Sequence, residues 1–88
     1  MITSRITISN SLGLHARASM KLHDLANRFQ SKIQLHVAGN CVDAKDILSL
    51  MSLAASKGTN LTLTCDGPDE KQAANSIIEL INRRFDEE

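Results

Sequence analysis

The sequence predicts an open-faced α/β sandwich: a four-stranded antiparallel sheet covered on one face by three helices, in the chain order β-α-β-β-α-β-α. Two observations carry this. Three short segments alternate apolar and polar residues at period two, so each has one wet face, and a hairpin turn adds a fourth short strand. Three longer segments repeat apolar residues every three or four positions, as helices with a buried stripe do. The helices must therefore share the dry face of the sheet.

In the first strand Ile2, Ser4, Ile6 and Ile8 alternate with Thr3, Arg5 and Thr7. A loop at Asn10–Leu14 follows, where Gly13 permits a tight turn. The first helix is expected from about Ala16 to Phe29, with Ser19, Leu22, Ala26 and Phe29 on one stripe and Leu25 beside it. Ile33, Leu35 and Val37 alternate with Lys32, Gln34 and His36 to give the second strand. Ala38-Gly39-Asn40 reads as a hairpin turn into a short third strand at Cys41 and Val42. Asp46 is a good N-cap for a helix from Ile47 to about Ser56, with Gly58 placed to end it in a left-handed cap. Ile47, Leu48, Leu50, Met51, Leu53, Ala54 and Ala55 are too many apolar residues for one stripe. Either this helix is buried nearly all round, or Ile47, Leu48 and Met51 form an exposed partner surface. Leu61, Leu63 and Cys65 alternate with Asn60, Thr62 and Thr64 in the fourth strand, and Gly67-Pro68 turns the chain. Asp69 with Gln72 approximates a capping box for the last helix, whose stripe is Ala74, Ile77, Ile78, Ile81 and Phe85. Asp69 and Glu70 suit its positive end, Arg83 and Arg84 its negative end. Asp86, Glu87 and Glu88 are expected to fray.

A chain of 88 residues makes one domain with one core, here built of aliphatic side chains because only Phe29 and Phe85 are aromatic. Ten basic and ten acidic residues cancel, and two phenylalanines offer almost no aromatic surface to stack bases, which argues against a nucleic-acid module. No apolar run approaches the roughly 20 residues of a membrane span, and Met1–Arg5 has no signal-peptide core, so a cytoplasmic, non-membrane protein is expected. Cys41 and Cys65 read as apolar fillers or free thiols rather than a disulfide. His15, His23 and His36 lack metal-ligand spacing, and neither a metal nor a cofactor is expected.

The chemistry concentrates in Asn10-Ser11-Leu12-Gly13-Leu14-His15-Ala16-Arg17. His15 sits where a helix begins. The first backbone N–H groups of a helix have no internal partner, and its dipole makes that end positive, so an anion site lies beside the ring. Arg17 can add a charge-assisted clamp on the same anion. An unperturbed imidazole, with a pKa of about 6.5, is mostly a neutral nucleophile at neutral pH. The arrangement suits a histidine that accepts a phosphoryl group and holds it. Alone, Gly-x-His-x-Arg is a weak motif, and a histidine at a helix start more often caps or packs.

The whole chain resembles HPr, the histidine-containing phosphocarrier of the bacterial phosphotransferase system. The resemblance rests on Gly13-Leu14-His15-Ala16-Arg17, Asn27-Arg28-Phe29-Gln30-Ser31, Asp43-Ala44-Lys45, Met51-Ser52-Leu53-Ala54, Lys57-Gly58-Thr59 and Gly67-Pro68-Asp69-Glu70. The acidic ending after Phe85 is similar to that of proteobacterial members, including the nitrogen-related branch NPr. The resemblance implies a sheet of strand order 1-4-2-3 and a monomer. It also implies a stoichiometric carrier rather than an enzyme, phosphorylated on Nδ1 of His15 by phospho-Enzyme I and discharged to IIA domains. By the same carry-over Ala16, Arg17 and Ala18 would bind the phosphate, and Ala16, Arg17, Met20, Ile47, Leu48 and Met51 would dock partners.

Two positions depart from the family pattern. Ala18 stands where Pro is common, at the cost only of some rigidity in the first helical turn. Asp46 stands where many members carry the regulatory serine that HPr kinase phosphorylates, so kinase control at Asp46 is not expected. A regulatory HPr-like module that binds without transferring phosphate is the alternative, and the retained His15 and Arg17 weigh against it. A small phosphatase of acylphosphatase size ranks last, because no Gly-rich phosphate loop with Arg and Asn in the expected order is present.

Overall fold

The computed structural model of the chain describes residues 1–53 and 55–87. Its elements are β1 (Ile2–Thr7), α1 (Ala16–Ala26), β2 (Lys32–Val37), β3 (Asn40–Asp43), α2 (Ile47–Ser52), β4 (Asn60–Asp66) and α3 (Glu70–Asn82), followed by a short 3₁₀ turn at Arg84–Asp86. The strands form one sheet in the order β1-β4-β2-β3, with every neighbouring pair antiparallel. This is the predicted open-faced sandwich. Ile6 lies opposite Leu61, while Ile33 and Leu35 lie opposite Cys65 and Leu63. All six are buried, and the alternate residues Thr62 and Thr64 are half-exposed. α3 packs on β1 and β4, and α1 packs against α2 and α3. Among the described residues no helix is long and apolar enough to cross a membrane. Cys41 and Cys65 are free; burial pushes the Cys65 thiol up to about 11, helped by the nearby Glu70 and Asp69 carboxylates.

Five local expectations need correction. α1 ends at Ala26 rather than Phe29. Asn27 turns its amide back to the His23 carbonyl (2.9 Å), and Arg28 and Phe29 donate to Leu25 and Ala26 in tighter three-residue steps. The Phe29 carbonyl is then free to accept from Lys45 Nζ at 2.6 Å. In the hairpin Ala38 (φ 49°) and Gly39 (φ 85°) hold the two positive-φ positions, and Asn40 already belongs to β3.

α2 stops at Ser52, not near Ser56, and Gly58 does not cap it. Leu53 and Ala55 are both buried, and the Ala55 carbonyl accepts from the Leu14 N–H at 2.8 Å. Continuing the helix would tie that carbonyl into an internal bond. Gly58 instead sits in the turn back into β4, donating its N–H to the Ile8 carbonyl at 2.8 Å. The expected helix residue Ala54 lies outside the described residues.

Asp69 is the N-cap of α3, yet makes no side-chain capping bond there. Its carboxylate reaches across to the loop after α1, accepting from the Gln30 and Ser31 N–H groups (2.9 Å each) and the Ser31 hydroxyl. Finally, Asp86 and Glu87 are held rather than frayed, and Glu88 lies outside the described residues. Phe85 is fully buried, and Arg84, Phe85 and Asp86 all take left-handed φ of 55–60°. Non-glycine residues adopt that region at a cost of about 1–2 kcal/mol each, which the buried Phe85 ring and the contacts of Glu87 offset.

Candidate functional site

The loop that presents His15 is fixed before any ligand arrives. Asn10 is fully buried, and its side-chain amide donates to the Gly13 carbonyl at 2.7 Å. Gly13 has φ +65°, and a Cβ there would lie 2.4 Å from the Ala55 carbonyl oxygen and 2.7 Å from Ser56 Cα. Only glycine lets this loop press against the segment after α2. The Ser19 hydroxyl, buried on α1, closes the loop from below by donating to the Leu14 carbonyl at 3.3 Å.

His15 is the N-cap of α1, with extended backbone (φ −77°, ψ −179°). Its Nδ1 accepts from the Arg17 N–H at 3.3 Å, a long hydrogen bond. Its Nε2 lies 2.6 Å from Oε2 of Glu87. A nitrogen that accepts carries a lone pair, so the network assigns the proton to Nε2 and leaves Nδ1 unprotonated. The nucleophilic lone pair thus faces the positive end of an 11-residue helix.

Around this ring, Ala16 and Arg17 are exposed, and no hydrogen bond or ion pair holds the Arg17 guanidinium among the described residues. Ala18 is fully buried, its backbone included, so the contact to phosphate expected there is not open in this structure. A cleft of about 350 Å³ beside the loop is lined by Ser11, Leu12, Arg17, Lys21, Asp86 and Glu87. Lys21 Nζ donates to the Phe85 carbonyl at 2.6 Å, which pins the last turn to α1.

On the facing helix Leu48 is 77% exposed and Met51 50%, while Leu50 is fully buried and Ile47 half-buried. Met20 on α1 is also exposed. Of the two alternatives open in the sequence, α2 therefore leaves Leu48 and Met51 on the surface and Ile47 only in part. Asp46 caps α2 as expected: Oδ1 accepts from the Leu48 and Ser49 N–H groups, and Oδ2 from the Ser49 hydroxyl at 3.0 Å. His23 lies on α1 beside Asp24, and His36 lies on β2 against the Thr64 hydroxyl. No cluster among the described residues could hold a metal ion.

Three site features were missed by sequence reasoning. Leu12, 72% exposed in the loop, lines the cleft with Arg17; an apolar residue between Ser11 and Gly13 was the available signal. The buried anchor Asn10 and the His15 partner Glu87 had none, because both act through contacts that only the folded chain creates.

A family model described as "PTS HPr component phosphorylation site" matches residues 2–83. The chain is 48% identical over 87 residues to the phosphocarrier protein HPr of Cupriavidus necator, covering 99% of this chain and 98% of that one. It is 39% identical over 85 residues to the phosphocarrier protein NPr of Proteus mirabilis, covering 96% and 94%. The crystal structure of HPr-C-His from Thermoanaerobacter tengcongensis superposes with a TM-score of 0.96 at 36% identity, covering 100% of this chain and 99% of that one. With a histidine capping the first helix, this sheet order and matches along nearly the whole chain, the conclusion is direct: the chain belongs to the HPr family of phosphocarriers of the phosphotransferase system.

Proposed function

We propose that His15 takes a phosphoryl group on Nδ1 from phospho-Enzyme I and passes it to IIA domains, in the sugar or the nitrogen branch, as a cytoplasmic monomer without turnover of its own. The observation that carries this reading is the Nδ1 lone pair at the start of α1, with the Arg17 N–H on it. In transfer, the lone pair forms an N–P bond while the N–P bond of the donor phosphohistidine breaks, its electron pair returning to the donor nitrogen. Such reactions depend mostly on positioning and charge stabilisation. Once Nδ1 is bonded to phosphorus, the Arg17 N–H loses its present acceptor and turns to a phosphoryl oxygen. The Ala16 N–H group and the Arg17 guanidinium complete the anion site. Ala16, Arg17, Met20, Ile47, Leu48 and Met51 form the docking surface around it.

The test is incubation with Enzyme I and labelled phosphoenolpyruvate. One acid-labile, base-stable phosphate per chain is expected, and it should be absent from His15→Ala with the fold unchanged. Labelling that persists in His15→Ala would move the site elsewhere. Contact without labelling of the unsubstituted protein would favour a purely regulatory module.

A further inference from the structure

All three methionines of the chain are at the surface: Met1, Met20 (46% exposed) and Met51 (50% exposed). The core holds none of them, although methionine is a common filler of irregular core gaps. Met20 lies on α1 and Met51 on α2, two helices that pack against each other. Met20 follows Arg17 by three positions, and Met51 follows Leu48 by three. Each thioether therefore continues, on its own helix, a face that already carries a residue of the proposed docking surface. The sulfur of the core is that of Cys65, which is fully buried. Burial pushes its thiol up to about 11, so it stays protonated, and the thiol is not the reactive form. An oxidant in solvent thus reaches thioethers on the docking face before it reaches any sulfur that holds the fold together.

We propose that Met20 and Met51 are a modification site: peroxide converts them to sulfoxides, and the carrier stays folded but loses its hold on partner proteins until the sulfoxides are reduced. This inference rests on the docking surface of the carrier reading. In each step a lone pair on Sδ attacks one peroxide oxygen. The O–O bond breaks, the S–O bond forms and water leaves, so sulfur is oxidised and peroxide reduced. The product is polar and chiral where the anchor was apolar and flexible. A partner surface that buries a thioether would have to desolvate a sulfoxide oxygen, which costs free energy unless a donor meets it. The change is reversible, because sulfoxide reductases, one for each epimer, return the thioether at the expense of thiols, with the oxygen leaving as water.

The test uses hydrogen peroxide and purified Enzyme I. Cys41, the exposed thiol on β3, is first replaced by Cys41→Ser, so that only thioethers react. Mass spectrometry of the treated chain should place one oxygen on each of Met1, Met20 and Met51. Its melting temperature should stay within about 3 °C. Its affinity for Enzyme I should fall about tenfold, as for the loss of an interface anchor. Sulfoxide reductases for both epimers should restore binding. Met20→Leu with Met51→Leu keeps two apolar anchors that peroxide does not oxidise, and it should bind equally before and after treatment. Met1 is the internal control, because it still gains its oxygen in that variant. It stands at the start of β1, its amine on Glu70 Oε2 at 3.1 Å, at the opposite end of the strand from the loop that presents His15. Equal affinity before and after peroxide would overturn the proposal. So would a large fall in melting temperature, or an equal loss of binding in the double leucine variant. A chain that does not bind Enzyme I before any oxidation would sink the docking reading, and the proposal with it.

Discussion

At the scale of single residues, the site divides into groups that local sequence explains and groups that it does not. His15 and Arg17 were legible because what they need is adjacent: a glycine turn before them and a helix after them. Their chemistry follows from two positions in one turn. The Arg17 side chain reaches solvent, unheld by any partner among the described residues, so its removal should cost function and spare the fold. For Arg17→Ala we expect phosphotransfer from Enzyme I to slow by roughly tenfold, as for loss of one charge-assisted contact in the transition state. The melting temperature should stay within about 3 °C, as for other exposed substitutions. A large fall in melting temperature with normal transfer would instead make Arg17 structural. Glu87 was read as frayed because its contact spans 72 positions of sequence. Nothing local distinguishes it from Asp86, which pairs with Arg83 in the ordinary way.

At the scale of elements, periodicity and turn residues together placed every strand and helix, and most errors fell at helix ends, where a tertiary contact outweighed local preference. α2 is cut short by the carbonyl that Leu14 needs, and Asp69 serves a neighbouring loop rather than its own helix. The sequence shows an acidic residue before a helix but not the unpaired Gln30 and Ser31 N–H groups that attract it. The consequence is a pH dependence. The Ser31 hydroxyl first, then the Gln30 N–H and the Ser31 N–H, hold the Asp69 carboxyl below the usual carboxylate range. The unfolded chain, with the ordinary value near 4, therefore binds the proton more readily as the solution is acidified. This stabilisation is complete above the ordinary value and is lost as the pH falls through it toward the lowered one. Asp69→Asn should thus melt below the unsubstituted protein at pH about 7, with the gap narrowing below pH about 4. A gap independent of pH would mean that the charge is not what matters. Asp46 met its expectation as a cap, and its carboxylate also puts a fixed charge beside Leu48 and Met51. Asp46→Ala should cost about 1 kcal/mol in thermal stability, whereas Asp46→Ser should retain most of the cap. If the charge also repels acidic partner surfaces, Asp46→Ser should accept phosphate faster than the unsubstituted protein at low salt, the difference closing as salt screens it. Equal rates at low salt would leave Asp46 a cap and nothing more.

At the scale of the whole molecule, three stretches far apart in sequence converge on one end of the helical layer: the loop before α1, α2 with its exit, and the turn after α3. Gly13 seals the first against the second, and Glu87 joins the third to the first. The same short helix therefore has two jobs, closing the core through Leu50 and offering Leu48 and Met51 to solvent. Alternation of burial along α2 was not legible in its sequence, because seven apolar residues in nine positions leave no polar face to orient it. The proposed docking surface separates these jobs by experiment. Met51→Asp puts a charge on an exposed apolar patch, where hydrophobic anchors would meet a partner. It should weaken Enzyme I binding about tenfold or more, as loss of an anchor worth at least 1.4 kcal/mol requires, and leave the melting temperature nearly unchanged. Leu50→Ala, one position earlier and fully buried, should do the reverse, costing about 2–5 kcal/mol of stability through the cavity it leaves. Partner affinity, measured below the new melting temperature, should then change little. If Met51→Asp unfolds the chain, the exposed face of α2 is part of the core; if it folds and binds normally, Enzyme I docks elsewhere on the sandwich.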